Sequence, residues 1–419
     1  MILVVNEAET APDHVSVANQ SFAAELQARF RMCWQSGEDG GLTLFHDPAS
    51  FRDVLLADRF SNGLKLPPKG GVGQARKIGA DLAACLIHQR RVHPPWIHCT
   101  DADVRLPQRY FTCIDGLGGN PALETAALVY PFGHHITAIG KDADIPDSHQ
   151  QRIMQVTRLY EYSLRYYVAG LGFANSPYAF HTIGSTMAVN ASHYTKVRGF
   201  PRRQAGEDFY LLNKLAKVGS IRQLSADTDC EAIEIAARLS DRVPFGTGAA
   251  TGRIMAFEDP AREFLLYHPA IFGLLRLWLG SLASFWQSRS GEISEILAQH
   301  SVSNGAQALP TQSAGNLQAL IDGLEDCGAP DALEHAFRQS RDAAQFNRQM
   351  HTWFDAFRTL KLIHHLRDHH LSSVSFETLV TEQHPDHLMG YESTLPFLHK
   401  EVCRDWLDFN HPARVSPTA

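Results

Sequence analysis

The stretch "WIHCTDADVRLP", Trp96 to Pro107, runs from an apolar segment straight into two acids, Asp101 and Asp103, with one alanine between them. The apolar part reads as a short buried strand that is parallel and central in its sheet, and the acids fall just past its carboxyl end. In open α/β sheets the crevice at the carboxyl ends of the strands is where ligands bind. Two like charges so close repel each other, and a divalent cation between them removes the repulsion. Mg²⁺ or Mn²⁺ held by one or two carboxylates normally bridges substrate phosphates. The same spacing also fits a simpler arrangement, in which Asp101 caps the next helix and Asp103 faces water.

Working outward, the segments around this strand alternate between β and α patterns. Ile2 to Val5 is a β-branched run, Val15 to Arg31 has helical spacing, and Leu42 to Phe45 is another short strand. Gly71-Val72-Gly73 opens a helix whose apolar positions Ile78, Leu82, Cys85 and Leu86 recur at three and four residues. After the acids the pattern predicts a short helix at Gln108 to Asp115, a strand at Thr125 to Tyr130 and a long helix from Gln150 to Leu171. The run "AFHTIGSTMAVN" then reads as a strand leading into a helix at Ala191 to Val197. "GEDFYLLNKLAKVG" is a helix with acids in its first turn and glycine at its end, which suits the helix dipole and a left-handed cap.

Past Gly252 strand signals give way to helical ones, broken by the polar segment 299–316, a loop or linker. This predicts an α/β domain over 1–255 followed by a mainly helical domain over 256–419.

Thirty-eight basic and 45 acidic side chains give a net charge of -7, so the chain lacks the basic footprint of a nucleic-acid binder. The seven cysteines are odd in number and never spaced as CxxC, which predicts unpaired thiols in a reducing compartment, the cytoplasm. "MILVVNEAET" shows no basic lead and long apolar core, so no secretory signal or anchor is expected there. Ala270 to Trp286 is nearly all apolar but short for a membrane span, and Arg276 near its middle would cost about 2.5–3.5 kcal/mol on insertion. A buried helix, or a peripheral contact through 264–287 at the inner face of a membrane, is the expectation. The histidines His134, His135, His364, His365, His369 and His370 pair with no cysteine and form no HExxH motif, and are read as surface or half-buried imidazoles.

Two further motifs accompany the acid doublet. In "KGGVGQARKIGADLA" glycines ahead of a helix bring backbone N–H groups to an anion, with Arg76 and Lys77 adding positive charge. It is no Walker loop, and a solvated helix face is its ordinary alternative. In "RGFPRRQAGEDFYLLNKLAKVG" Glu207 and Asp208 stand at a helix start, where the dipole favours the ionised carboxylate. Capping explains one such acid better than two.

In order and spacing, these three motifs resemble the family 2 glycosyltransferases of the GT-A fold. That family has a Gly…Ala-Arg-Asn helix, an apolar strand ending in a DxD-type pair, a Gly-Gly-Phe turn and a Glu-Asp pair opening a helix. The resemblance covers roughly residues 1–250. It implies a Rossmann-like GT-A domain with a mostly parallel central sheet, and a transfer of sugar from a nucleotide-diphosphate donor to an acceptor hydroxyl, with inversion. Asp101 and Asp103 would hold Mn²⁺ or Mg²⁺ on the diphosphate, Arg76 with Lys77 would contact base or phosphates, and Asp208 beside Glu207 would be the general base. Arg238 or Arg242 in "RLSDRVPFGTG" would meet the diphosphate, a surface salt bridge being the alternative. Lys77 stands where the family has asparagine, and Arg198 where it has a glycine. "ILVVNEAET" fits either the family's first strand, with Asn6 and Glu7 at its end, or its second strand, whose acid, here Glu7, grips the base. The acceptor, a glycan, lipid or small molecule, is not specified.

Three other classes stay open. A GT-A module that binds a nucleotide sugar or a protein without catalysis is one. A nucleotidyltransferase would normally carry a Gly-rich basic stretch after the first strand, which "NEAETAP" lacks. A haloacid-dehalogenase-type phosphatase has its two aspartates close to the first strand, not at 101 and 103.

Overall fold

The computed structural model describes residues 1–37, 41–68, 70–115, 124–135, 147–224, 230–239, 246–303 and 314–380. The protein is mixed α/β, with 52% of it helical, several small mixed sheets and a helical C-terminal region. It divides into two compact units, 1–135 with 182–249, and 136–181 with 250–419. The edge at 249 lies close to the expected 255, but 136–181 belongs with the helical part. The reason is the apolar face of the helix Asp147–Phe173, whose Val156, Leu159, Tyr162 and Tyr166 are buried in the second unit's core. Gly170 on that helix lets Phe272 close in, since a Cβ there would sit 2.5 Å from the ring.

In the first unit one sheet runs β1 (Ile2–Asn6), β4 (Arg52–Arg59), β3 (Leu42–Asp47), β2 (Arg31–Gln35). Only β1 and β4 are parallel. Neither β2 nor β4 is announced by the sequence, because β2 is an exposed edge without alternation and β4 carries arginines at both ends. A second sheet runs β10 (Ser220–Gln223), β7 (Thr125–Val129), β9 (Met187–Asn190), β5 (Trp96–Cys99). Three more short strands, β6 (Val104–Arg105), β11 (Ile233–Ala236) and β8 (Phe132–His135), form a third.

The expected mostly parallel central sheet is corrected here, since β5 lies at a sheet edge and pairs antiparallel with β9. Every residue of β7 and β9 is buried, so these two take the centre, and the less apolar "WIHC" falls outside them. The antiparallel pairing still serves the site. Cys99 faces Met187, so the segment after β5 and the segment before β9 leave the sheet at the same rim.

The expected helix at Gln108 to Asp115 is instead a chain of turns. Most of its N–H groups reach back three residues (Tyr110 to Pro107, Thr112 to Arg109) and that of Cys113 four, to Arg109, while the Cys113 sulfur is bonded to Cys230, 117 residues away, with 5.3 Å between the α-carbons. That pairing corrects the expectation of unpaired cysteines. No local spacing could have signalled a bridge of such separation.

The second unit is built around the helix Pro269–Ser288, with proline in its first turn and His268 accepting from Ala270 N–H at its start. It is long and apolar enough to cross a membrane, yet 67% of its apolar window is buried inside the protein. Phe272, Trp278 and Phe285 are fully buried, Trp278 meets Phe354 edge to face, and Arg276 stacks on Phe173. The apolar surface that suggested a membrane contact through 264–287 is therefore used within the core, with Leu265 its main exposed apolar side chain. The loop or linker expected at 299–316 is shorter than that, since the helices Ile293–Ser303 and Ala314–Asp326 run into it from both ends, and residues 304–313 lie outside the described ones.

Candidate functional site

The helix Gly71–His88 lies over β1, where Gly79 meets Val4. Its first turn presses against the loop 201–204. A Cβ on Gly73 would stand 2.6 Å from the Arg203 and Pro201 carbonyl oxygens, and the Gly73 N–H donates to Arg203 O at 3.0 Å. The glycines thus permit close backbone approach. The anion cradle expected from them is corrected in this respect, because that N–H already has a protein partner. Lys77 bonds Asp81 at 3.0 Å and the Arg198 carbonyl at 3.3 Å, and Asp81 also accepts from Tyr194 Oη at 2.7 Å. It ties the helix to the chain around 194–198 and takes no part in the cluster below.

Arg198 and Gly199 are both left-handed, with φ of 63° and 68°. A glycine at 198 would relieve the cost of placing a side-chain-bearing residue there. Arg198→Gly is expected to raise stability by about 0.5–1 kcal/mol, measured as a higher denaturant midpoint, since only the Arg198 backbone holds Lys77.

Arg76 sits one turn into the helix with all its reach engaged. Nε donates to Glu207 Oε1 at 2.9 Å, Nη1 to the Gly184 carbonyl at 2.8 Å and Nη2 to Asp101 Oδ1 at 2.5 Å. Gly184 has to be glycine for this contact, since a Cβ would lie 2.8 Å from the guanidinium carbon. Burial works against the Arg76 charge, but Asp101 and Glu207 outweigh it and hold its pKa above the usual value. Burial pushes the neighbouring Cys99 thiol up to about 11, which keeps it protonated and unreactive.

The helix Glu207–Leu215 starts after the left-handed Gly206, and its Leu211, Leu212 and Leu215 are fully buried. That anchoring directs Glu207 inward, where it is 4% exposed. Burial, then the adjacent Asp208, raise the Glu207 pKa, and Arg76 opposes the rise. Asp208 is half-buried and accepts from the N–H groups of Phe209, at 2.7 Å, and of Gly184. Burial raises its pKa too, against the pull of those N–H groups and of Arg76. Gly184 therefore meets both charges, its carbonyl on Arg76 and its N–H on Asp208. No sequence signal singled it out beyond its place before "STMAVN".

Asp103 pairs with Arg238, just past β11, and both stay partly exposed, at 32% and 47%. The salt-bridge alternative for Arg238 is what the structure contains. Arg242 lies outside the described residues. Glu7, at the end of β1, is almost fully buried, with Lys65 Nζ at 2.6 Å and Ser16 Oγ at 2.5 Å. Lys65 first, then Ser16, hold its carboxylate below the ordinary range. None of these partners belongs to the Arg76 group.

Arg76 thus joins Asp101 to Glu207, with Asp208 beside it, at the β5 rim; Asp103 and Arg238 form a pair of their own, and Glu7 and Lys77 are engaged elsewhere. Sequence reasoning missed the aromatic wall beneath the doublet. His98 on β5 packs edge-on to Tyr110 and Phe111, with the Tyr130 hydroxyl 3.3 Å from its Nδ1, and burial lowers its pKa to about 4.

Among the described residues no three His, Cys, Asp or Glu side chains are arranged to hold a metal ion. Each acid of the doublet is partly exposed and paired with an arginine, Asp101 with Arg76 and Asp103 with Arg238. Comparisons of the chain with family models, curated proteins and solved structures find no match.

Proposed function

We propose that the protein is a glycosyltransferase of the GT-A type, moving a sugar from a nucleotide-diphosphate donor to an acceptor hydroxyl with inversion. The observation that carries this reading is Arg76 bridging Asp101 and Glu207, which links the acid doublet to the acid pair across one rim. Asp101 and Asp103 would hold Mg²⁺ or Mn²⁺, which supplies positive charge against the departing diphosphate. Arg76 and Arg238, now paired with those aspartates, are the cations nearest at hand for the phosphate oxygens. Asp208 accepts the acceptor's proton. Its raised pKa makes it a stronger base than an exposed aspartate, and its N–H donors fix its orientation.

The test is a panel of UDP-, GDP- and dTDP-sugars, with and without Mn²⁺, followed by binding and by slow donor hydrolysis. One donor that binds in the presence of Mn²⁺, is hydrolysed, and loses both responses in Asp103→Ala supports the reading. Failure of every donor to bind, or release of phosphate from simple monoesters, counts against it.

A donor-binding module without turnover is the second reading. It is favoured by the acid doublet, since Asp101 and Asp103 are each paired with an arginine and need no metal ion to offset their charge. Binding without hydrolysis across the panel would select it.

A further inference from the structure

The last turn of the helix Ala356–His369 gathers imidazoles. Spacing of four places His365 and His369 on one face, and His370 caps the helix. Their ring centres are close: 4.8 Å between His365 and His369, 6.3 Å between His365 and His370, and 6.4 Å between His369 and His370. His364 has a different role, its Nε2 lying 2.9 Å from the Tyr267 hydroxyl.

His365 is held from behind. Gly323 on the facing helix lets the ring approach, since a Cβ there would be 2.9 Å from Cδ2, and Asp326 Oδ2 lies 3.0 Å from Nδ1. A carboxylate at Nδ1 fixes the proton there and leaves the lone pair on Nε2. That Nε2 is buried and has no hydrogen-bond partner. A nitrogen lone pair buried without a partner calls for an explanation, and a carboxylate behind a histidine is the arrangement that supports metal-ligating imidazoles. His369 and His370 are exposed and free to turn, which is what an ion from solvent needs in order to reach the buried His365 Nε2.

We propose that His365 and His369, with Asp326 as the supporting carboxylate, bind a transition-metal ion of the Zn²⁺ class. The two imidazoles clamp the ion from one helix face, as histidines four apart do on a helix. Because the side chains as they stand form no three-donor group, the remaining positions are filled by water or by His370 after its exposed ring turns. Lys361 on the same helix donates to the Asp326 carbonyl, and Arg367 pairs with Asp368, so both nearby cations have partners away from the imidazoles. Nitrogen donors also separate this site from the oxygen donors at Asp101 and Asp103, since imidazole suits Zn²⁺ and carboxylate suits Mg²⁺.

The experiment is calorimetric titration of the full, chelator-treated chain with ZnCl2 and, separately, MgCl2. The expected result is one equivalent of Zn²⁺ bound at micromolar Kd, with Mg²⁺ not competing. His369→Gln, on an exposed position that leaves the fold intact, should weaken Zn²⁺ at least tenfold. Asp326→Asn should weaken it about 10–100-fold, and His364→Gln should leave it unchanged. Zn²⁺ binding that survives His369→Gln undiminished, binding that disappears instead in the Asp101→Ala/Asp103→Ala variant, or no binding below about 100 µM would overturn the proposal. Thermal unfolding without metal checks that each variant is folded.

Discussion

Arg76→Met is expected to destabilise the first unit by about 3–5 kcal/mol, the range for removing one partner of a buried ion pair. Methionine keeps much of the aliphatic bulk, so packing loss is small and the electrostatic loss dominates. The substitution strips Glu207 of its only cationic partner at hydrogen-bond distance among the described residues and leaves the Gly184 carbonyl without the guanidinium donor. Glu207 is almost fully buried with Asp208 beside it, and both forces already raise its pKa. Without Arg76 it must either protonate or hold an uncompensated charge. Asp101 loses less, because it is 44% exposed and can turn to water. The measurement is hydrogen exchange at the amides of β9 and the helix Glu207–Leu215, which reports on this unit even when the other unfolds separately. Adding Glu207→Gln should recover part of the loss, since a neutral amide is cheaper to bury unpaired. A change below about 0.5 kcal/mol, or no recovery in the double variant, would show that Arg76 is not the centre of the cluster.

The parts of this cluster differ in how plainly the sequence displays them. Asp101, Asp103, Glu207 and Asp208 stand out because each pair breaks a local pattern: like charges next to an apolar run, or two acids where one cap suffices. Arg76 is suggested by its place one turn into a glycine-led helix. Its actual partners are not, since they lie 25 and 131 residues away and depend on the sheet bringing three segments to one rim. The edge position of β5 is hidden for a related reason. Period and composition show that "WIHC" is a strand, but centrality is decided by competition with "TAALV" and "MAVN", which are apolar on both faces.

Glycines mislead in the opposite direction. Gly71 and Gly73 read as an anion loop, and a second role for them does not show in the sequence: their missing Cβ atoms make room for the backbone at 201–204. The assignment of 136–181 to the helical unit is illegible for the same physical reason as the Cys113–Cys230 bridge. Both are long-range pairings, and amphipathic spacing tells that a face is buried without telling against what.

Asp208→Asn should lower transfer or donor hydrolysis by about 10²–10⁴-fold, the usual contribution of a general base, while donor binding stays within about threefold. Asparagine keeps the shape and still accepts from the Phe209 N–H through its one carbonyl oxygen, so the start of the helix has no cause to move. What it cannot do is take a proton. The pH dependence gives a second readout. Burial raises the Asp208 pKa, so the wild-type rate should fall as pH drops through a value above that of an ordinary aspartate, because only the ionised form is a base. The residual rate of the variant should lack that acid limb. For stability the sign is reversed. A carboxyl whose folded pKa is raised stabilises the fold below its unfolded pKa and loses that contribution as pH rises through the folded value. Asp208→Asn removes a carboxyl whose charged form burial disfavours and should therefore leave stability equal or higher, in contrast to Arg76→Met. A variant that keeps more than a tenth of the wild-type rate, or one that loses its rate only because it unfolds, would remove Asp208 from the chemistry and leave the Arg76 cluster as a structural ion network.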